Sequence, residues 1–529
     1  MIATPEKKVI EQRICGTTET RKVALISILL LLISTSYLYS TVNEYSHFNI
    51  SFNKQFSIYH QTNLRHKEDP DEKITRIIDY KTFDSFIDAV QYYAVNNTIV
   101  VASFDITYVS MALNLFLTSF RKFNIKNHLF VASDHLGCAE LLSHDAHCIQ
   151  YMNMSISKSP SYFYETDYNI KACIKPKIVL DCLKAGFDVL LVDVDIIFLK
   201  NPLPFISNYS DCDFVTQTDP LSKEENSGFY LVKASSSGMK LFTKIVEMIN
   251  GTSRGDQDYV NDALHELEES IKIQCLSPEI CQLGKMFFNK GRRAFAGDNP
   301  CINCIIVHNN YIVSLEAKIY RFKEYGMWSV DIGGYYSDKT RKYIKYGNPI
   351  DFGAREEFGC SNTMEEVSLK TALIIGHILN RTVIMPRFHC GKKIHICHFG
   401  FRFSVRSFEL HLPVLETYRE NVFLEHPLVP ESTKKSVSEM FVFDSPIWQT
   451  LTRNDKNQTT NVKVMKTEQY NISDSDIKRW FGSETSQVLQ FYSLYNEIFC
   501  EDSELSHFYD TLNDAIQASN PMQFRQDDI

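Results

Sequence analysis

The residues best placed to do chemistry are Asp193 and Asp195, set either side of Val194 in the run LLVDVDIIFLKNP. The residues before them are apolar, so a buried strand delivers two carboxylates at its carboxyl end. Open α/β sheets bind ligands at that end of their strands. Two carboxylates there suit a divalent cation, and such a cation can hold both phosphates of a nucleoside diphosphate. D-x-D alone is also the composition of a solvated acidic turn, so the apolar run before it and Asn201-Pro202 after it carry weight.

Other constellations compete. A haloacid-dehalogenase-type phosphatase places D-x-D after an apolar strand and uses the first Asp as nucleophile. That pattern wants a small Thr or Val two residues after the second Asp. Position 197 is Ile, and two β–α units precede the motif. Cys301-Ile302-Asn303-Cys304 is a lone C-x-x-C without two further ligands at zinc spacing, so a disulfide is expected. His389, Cys390, His395, Cys397 and His398 crowd together. They read either as a zinc cluster or as paired cysteines beside loop histidines, and the second reading is preferred.

The elements that must position Asp193 and Asp195 alternate. Thr98–Ser103 (TIVVAS) predicts a strand, and Val109, Leu113, Leu117 and Phe120 give Ile106–Phe120 a helical face. Leu129–Ala132 predicts a second strand, Ile178–Lys184 a helix ended by Gly186, and Asp188–Val192 a third strand. Phe214–Thr216 and Gly228–Val232 add two more. This alternation predicts an α/β fold, a Rossmann-like, mostly parallel sheet with helices on both faces. Asp331–Asn348, rich in Tyr, Gly and Lys, reads as a linker. Beyond it Asn362 and Glu365 form a capping-box-like helix start, and Thr382–Met385 reads as a strand. Val488, Phe491, Tyr492, Tyr495 and Phe499 lie at helical spacing. The expected organisation is a tail over 1–22, an anchor over 23–42, a stem over 43–75, a catalytic domain over 76–330 and a smaller α/β accessory domain over 331–529.

The chain has 529 residues, 44% of them hydrophobic and 22% charged, which is enough to bury a core. Its formal net charge of -9 offers no overall field for nucleic acid. Val23–Val42 carries no charged residue and is about the 20 residues a bilayer-spanning helix needs. Lys7, Lys8, Arg13, Arg21 and Lys22 precede it, whereas only Lys54 follows before residue 55. The positive-inside rule puts the N-terminus in the cytoplasm and the bulk in the lumen, and no A-x-A-like cleavage site follows. Acceptor sequons at Asn49, Asn96, Asn153, Asn208, Asn250, Asn380, Asn457 and Asn471 suit that side of the membrane. Fourteen cysteines, with Cys15 in the tail, predict disulfides in an oxidising lumen.

Together KPKIVLDCLKAGFDVLLVDVDIIFLKNP, NSGFYLVKAS, DQDYVN, VHNNYI and RFKEYGMW resemble the nucleotide-diphospho-sugar transferases, which include plant xylosyl- and arabinosyltransferases and an amoebal galactosyltransferase. The resemblance covers about residues 98–328. It implies a GT-A fold and metal-dependent, retaining transfer from a UDP-linked pentose or galactose to a glycan or glycoprotein. The metal is Mn2+ or Mg2+, and the setting is a single-pass type II protein of the Golgi membrane. By the same resemblance Asp193, Asp195 and His308 hold the metal, with a plain loop histidine as the other reading of His308. Lys318 neutralises the diphosphate. Lys177 touches phosphate or sugar, with Lys175 as its rival and a solvated helix-start lysine as the alternative. Asn226 and Gly228 form a sugar-facing turn. Asp256 and Gln257 lie under the sugar ring near the anomeric carbon, or else merely cap a helix. Residues 359–390 resemble the C-terminal extension of some plant arabinosyltransferases and, more distantly, the opening β–α unit of protein O-fucosyltransferases. That implies a structural or acceptor-binding role. The alternative for the whole chain is an inert sugar-binding or scaffold protein of the same fold.

Overall fold

The computed structural model describes residues 82–519 except 134, 152–165, 220–221, 223, 250–253, 290–300, 302, 313, 348–361, 390–395, 413–416, 442–462, 465–471, 492–493, 495–497 and 500–502. All the described residues fall in one compact unit spanning 76–529. Among them no helix is long and apolar enough to cross a membrane. The expected anchor at Val23–Val42 and the stem over 43–75 lie outside the described residues.

The first sheet has seven strands. They are β1 (Thr98–Phe104), β2 (His128–Ala132), β3 (Cys148–Gln150), β4 (Asp188–Val192), β6 (Phe214–Thr218), β7 (Glu225–Val232) and β8 (Ile273–Leu276). Their order is β3-β2-β1-β4-β7-β6-β8, and β7 alone runs antiparallel to its neighbours. A smaller sheet sets β10 (Ile306–His308) between β5 (Ile196–Phe198) and β9 (Cys281–Leu283). The α/β class and mostly parallel sheet are as expected.

Alternation of side chains divides the core. Ile99, Val101, Leu129, Val131, Val189 and Leu191 face one layer. It holds buried residues of α1 (Phe86–Tyr93), α5 (Lys175–Lys184), α7 (Ser236–Met248) and α8 (Asp256–Leu267). Val100, Ala102, Phe130, Leu190 and Val192 face the other, with α2 (Val109–Leu115). Residues 189–192 are fully buried on both faces, which is why they read as an unbroken apolar run. Helices α3 (His135–Ser143), α4 (Thr166–Ala172) and α6 (Leu203–Ile206) complete the region. The helix expected over Ile106–Phe120 is a 3-10 turn at Ile106–Tyr108, then α2, then a wide π-type turn at Phe116–Arg121.

A second sheet of six parallel strands orders Tyr418–Arg419, Thr382–Ile384, Tyr343–Tyr346, Val488–Phe491, Val437–Phe441 and Lys463–Val464. The segment expected as a linker thus contains a central strand: Tyr343, Ile344 and Tyr346 are buried, and four residues are too few for a periodic signal. Val488–Phe491 is likewise a strand rather than part of a helix, because a strand buried on both faces shows apolar residues at any spacing. The helix from Asn362 forms as α10 (Asn362–Leu379), with α9 (Leu315–Glu324) leading in from the first region. One apolar cluster runs from Val100 and Phe130 through Trp328 to Tyr343, Ile384 and Val488, so the two sheets share a core.

Disulfides join Cys138 to Cys148 and Cys301 to Cys304, and Cys397 is disulfide-bonded too. The C-x-x-C is thereby a disulfide, as expected. Cys390 and His395 of the crowded histidine and cysteine run lie outside the described residues.

Candidate active site

Strand β4 ends at Val192, and the backbone N–H of Asp193 donates to the Gly228 carbonyl of neighbouring β7 at 2.7 Å. The chain turns there and enters β5. Strand β10 pairs with β5 in a register that sets His308 opposite Ile196, and Asn309 N donates to the Asp195 carbonyl at 2.9 Å. Two segments far apart in sequence are thus sewn together at the carboxyl end of β4.

The result is a three-residue cluster. Ligand atoms of Asp193, Asp195 and His308 lie within 4.8 Å of one another, the only such metal-competent group among the described residues. His308 Nε2 is 3.2 Å from Asp195 Oδ1, close to the ~3 Å between adjacent ligands on an octahedral ion. Two carboxylates and one imidazole form a donor set that suits manganese-like cations. Residue 228 confirms the space: a Cβ there would lie 2.5 Å from His308 Cε1 and 2.7 Å from Asp193 Oδ2. Only glycine leaves the ligand atoms where they are. Gly228 is not in a turn, however. It lies with Asn226 inside β7, which begins at Glu225, opposite an irregularity in β6 between Thr216 and Gln217.

His308 has a partner that the sequence reading lacked. Gln217 Nε2 donates to the Cys281 carbonyl at 2.9 Å, which turns its Oε1 toward His308 Nδ1 at 3.1 Å. A carbonyl can only accept, so this orients the amide, puts the His308 proton on Nδ1 and leaves Nε2 as a lone-pair donor. The available signal was a glutamine at the carboxyl end of the strand FVTQT.

Charges balance around the aspartates. Lys318 Nζ sits 2.7 Å from Asp195 Oδ2. Burial alone would raise the Asp195 pKa, but the Lys318 ammonium outweighs it and holds the carboxyl well below the usual range. Ser314 caps α9 by accepting from Ala317 N, so Lys318 lies in the helix's first turns, aimed back at β4. At the other aspartate stands Lys175, the rival reading, rather than Lys177. Its Nζ is 2.9 Å from Asp193 Oδ1 and 2.9 Å from Asp256 Oδ2. Lys177 lies half-buried two positions along α5. Burial raises the Asp256 pKa; Lys175 opposes that and Asp193 adds to it.

Asp256 is the first residue of α8, is buried, and follows the N-cap Gly255. Its neighbour Gln257 accepts through Oε1 from Asn226 Nδ2 at 3.1 Å, while Asn226 Oδ1 accepts from Gly228 N at 2.9 Å. Asn261 clamps α8 to β7 by bonding both backbone groups of Glu225, at 2.8 and 2.9 Å. Hence Asp193, Asp195, Asn226, Gly228, Asp256, Gln257, His308 and Lys318 form one contiguous cluster, together with Lys175 and Gln217.

The family model for nucleotide-diphospho-sugar transferases matches residues 124–322. That segment is of the nucleotide-diphospho-sugar transferase family. The enzyme's class is therefore glycosyltransferase. The transferase segment has similar relatives of known activity. A UDP-D-xylose:L-fucose alpha-1,3-D-xylosyltransferase of Arabidopsis thaliana is 22% identical over 268 residues, covering 46% of this chain and 72% of the relative. Beta-arabinofuranosyltransferase RAY1 of Arabidopsis thaliana is 25% identical, covering 34% of this chain and 38% of the relative. A UDP-galactose:fucoside alpha-3-galactosyltransferase of Dictyostelium discoideum is 26% identical, covering 30% and 28%. Among solved structures, mouse xyloside xylosyltransferase 1 aligns over 40% of this chain and 98% of that one, at 11% identity and a TM-score of 0.28. Galactosyltransferase LgtC aligns over 40% and 87%, at 12% identity and a TM-score of 0.27.

Proposed function

We propose that this protein transfers a sugar, with retained anomeric configuration, from a UDP-sugar to a glycan or glycoprotein acceptor in the Golgi lumen. The observation that carries the reading is the convergence of Asp193, Asp195 and His308 beside a glycine whose Cβ would fill the site. These three residues would hold a Mn2+ or Mg2+ ion, which supplies neutralisation of the leaving diphosphate. We read the sheet as GT-A, with the donor lying across the carboxyl end of β4. The relatives use UDP-xylose and UDP-galactose by their names, so a pentose or galactose donor is the natural first choice.

The chain's own residues divide the work. Gln217 holds His308 in the tautomer that presents Nε2. Lys318 holds Asp195 in its ionised form, Lys175 bridges Asp193 and Asp256, and both ammonium groups would meet the diphosphate charge. Asn226 and Gln257 form one amide pair at the sugar-facing edge, and Gly228 lets backbone come close. Gln257 offers no charged nucleophile, and Asp256 Oδ2 is held by Lys175. Front-face transfer fits this arrangement: the bond from anomeric carbon to diphosphate oxygen breaks. The acceptor oxygen bonds on the same face, and its proton passes to the departing diphosphate.

Exposed sequon asparagines at Asn96, Asn208 and Asn380, together with the disulfides, support a luminal setting for the catalytic part of a type II protein. The test is a panel of UDP-sugars with manganese and the full chain in detergent, with NMR of the product. One donor should be turned over, its anomeric configuration retained. Asp195→Asn keeps the shape and removes the charge, so it should abolish metal-dependent donor binding while the melting curve stays put. Unchanged manganese-dependent binding in a folded Asp195→Asn protein refutes the site.

A further inference from the structure

His308 is the last residue of β10, and the three residues after it are pinned one by one. Asn309 is fully buried. Its backbone N–H donates to the Asp195 carbonyl at 2.9 Å, and its side-chain Nδ2 donates to the Lys318 carbonyl at 2.9 Å. Its Oδ1 accepts from the Arg321 guanidinium at 3.3 Å. Asn310 Oδ1 accepts from Gly284 N at 2.7 Å, just past β9, and the Asn310 carbonyl accepts from Arg321 at 3.3 Å. A Cβ on residue 284 would overlap that carbonyl. The Tyr311 hydroxyl donates to Asp219, and Tyr311 is held at a φ of 56°, a left-handed conformation that bulky side chains rarely adopt. Such backbone persists where its surroundings over-determine it.

The partners of Asn309 fix which way its amide points. A carbonyl only accepts and a guanidinium only donates. The amide must turn its nitrogen to Lys318 and its oxygen to Arg321, both on α9 and one turn apart. Aspartate would offer two acceptors, and leucine would offer neither group. A buried polar group left unpaired is destabilising, so the site suits an asparagine with both ends satisfied.

Asn309 thereby joins three pieces of the cluster. Its main chain ties the D-x-D turn, its place after β10 ties His308, and its side chain ties α9. The ammonium of Lys318 then returns to Asp195 Oδ2 at 2.7 Å, which closes the loop.

We propose that Asn309 is a positioning residue: its amide sets the depth at which α9 presents the Lys318 ammonium to Asp193, Asp195 and His308. Its side chain bonds α9 and none of those three side chains. The purpose rests on the donor reading, in which Lys318 meets the diphosphate. The placement of Lys318 itself can be read without any nucleotide.

The test compares Asn309→Asp and Asn309→Ala with wild type, using the full chain in detergent. Asn309→Asp keeps the volume and the oxygen on Arg321 and loses the N–H on the Lys318 carbonyl, so it carries the test even if the alanine variant does not fold. Footprinting with an amine-reactive ester, read by mass spectrometry, reports Lys318 with no ligand present. Lys318 should label about five-fold faster in both variants, as for loss of one buried hydrogen bond. Lys175, the other lysine of the cluster, should keep its wild-type rate. Manganese alone should bind as in wild type, whereas UDP with saturating manganese should bind about five-fold more weakly. General loosening of the fold would instead weaken both and expose both lysines. In a Lys318→Met background, Asn309→Asp should cause no further loss of UDP affinity, because its effect passes through the missing ammonium. Wild-type labelling of Lys318 in a folded Asn309→Asp protein overturns the proposal, as do additive losses in the Lys318→Met background. Failure of wild type to bind UDP with manganese counts against the donor reading instead, and the labelling arm still decides the role of Asn309.

Discussion

Gln217 shows how a residue with no chemistry of its own governs one that has it. Its amide is fixed at one end by the Cys281 carbonyl and passes that orientation to His308. Gln217→Leu conserves most of the volume, strands the Nδ1–H of His308, and frees the ring to turn. Removing such a partner typically costs about 10–100-fold in metal affinity. We expect that loss in a manganese titration of Gln217→Leu, with His308 still present and the fold intact. An unchanged manganese affinity would mean His308 is held by β10 alone. At the same scale, the D-x-D pair was legible because two carboxylates after four apolar residues are rare in a core. Gln217 was not, because a polar residue near a strand end has too many ordinary explanations.

Among elements, α9 links the two halves of the site. Ser314 starts it by accepting from Ala317 N, and does so at a positive φ of 88°, a conformation that favours glycine. Ser314→Ala removes the cap while keeping the strained backbone, so it should cost about 1 kcal/mol or more in chemical denaturation. Ser314→Gly should cost much less, because glycine adopts that φ freely and is itself a fair N-cap. If the two variants melt alike, the cap does not anchor the helix. Loosening α9 also moves Lys318 off Asp195, so the alanine variant should lose donor affinity in step with stability. Strand β10 is the counter-case: three residues after a disulfide carry no periodicity, and only the register with β5 tells that His308 lies beside Asp195.

Across the whole molecule, charge is buried where α9 crosses to the second sheet. Glu324 has its pKa raised from an ordinary 4.5 to about 8 by burial, against the favourable Gly400 N–H and Arg321, with Glu420 adding to the rise. A carboxyl whose folded pKa is raised is bound by more protons in the folded chain between those values. Its contribution to stability is therefore full below about pH 4.5 and is lost as pH climbs to about 8. Glu324→Gln carries no such proton, so its melting temperature relative to wild type should rise from pH 5 to pH 8. A constant difference across that window would show that Glu324 is ionised throughout. Topology gives a second whole-molecule expectation. Protease added to sealed membrane vesicles should spare everything after Val42, and glycosidase should lower the apparent mass through sites such as Asn96, Asn208 and Asn380. Digestion of the large domain from outside would reverse the orientation.

Local patterns in the sequence were enough for the α/β class, the β4 strand, the carboxylate pair and the C-x-x-C disulfide. Each rests on neighbours in the chain: apolar runs, charge placement, cysteine spacing. The same was true of α10, whose long apolar face declares a helix without help. Tertiary structure alone decided that Lys175 rather than Lys177 meets Asp193 and Asp256, because a difference of two positions on a helix start turns a side chain by about 200°. It alone put Tyr343–Tyr346 at the centre of a sheet instead of in a linker, since four residues gain a strand's hydrogen bonds only when Thr382–Ile384 and Val488–Phe491 flank them. And it alone joined Glu324 to His398 and Gly400 in one cleft. Contacts between residues that distant follow from how helices and sheets pack, and no spacing along the chain encodes them.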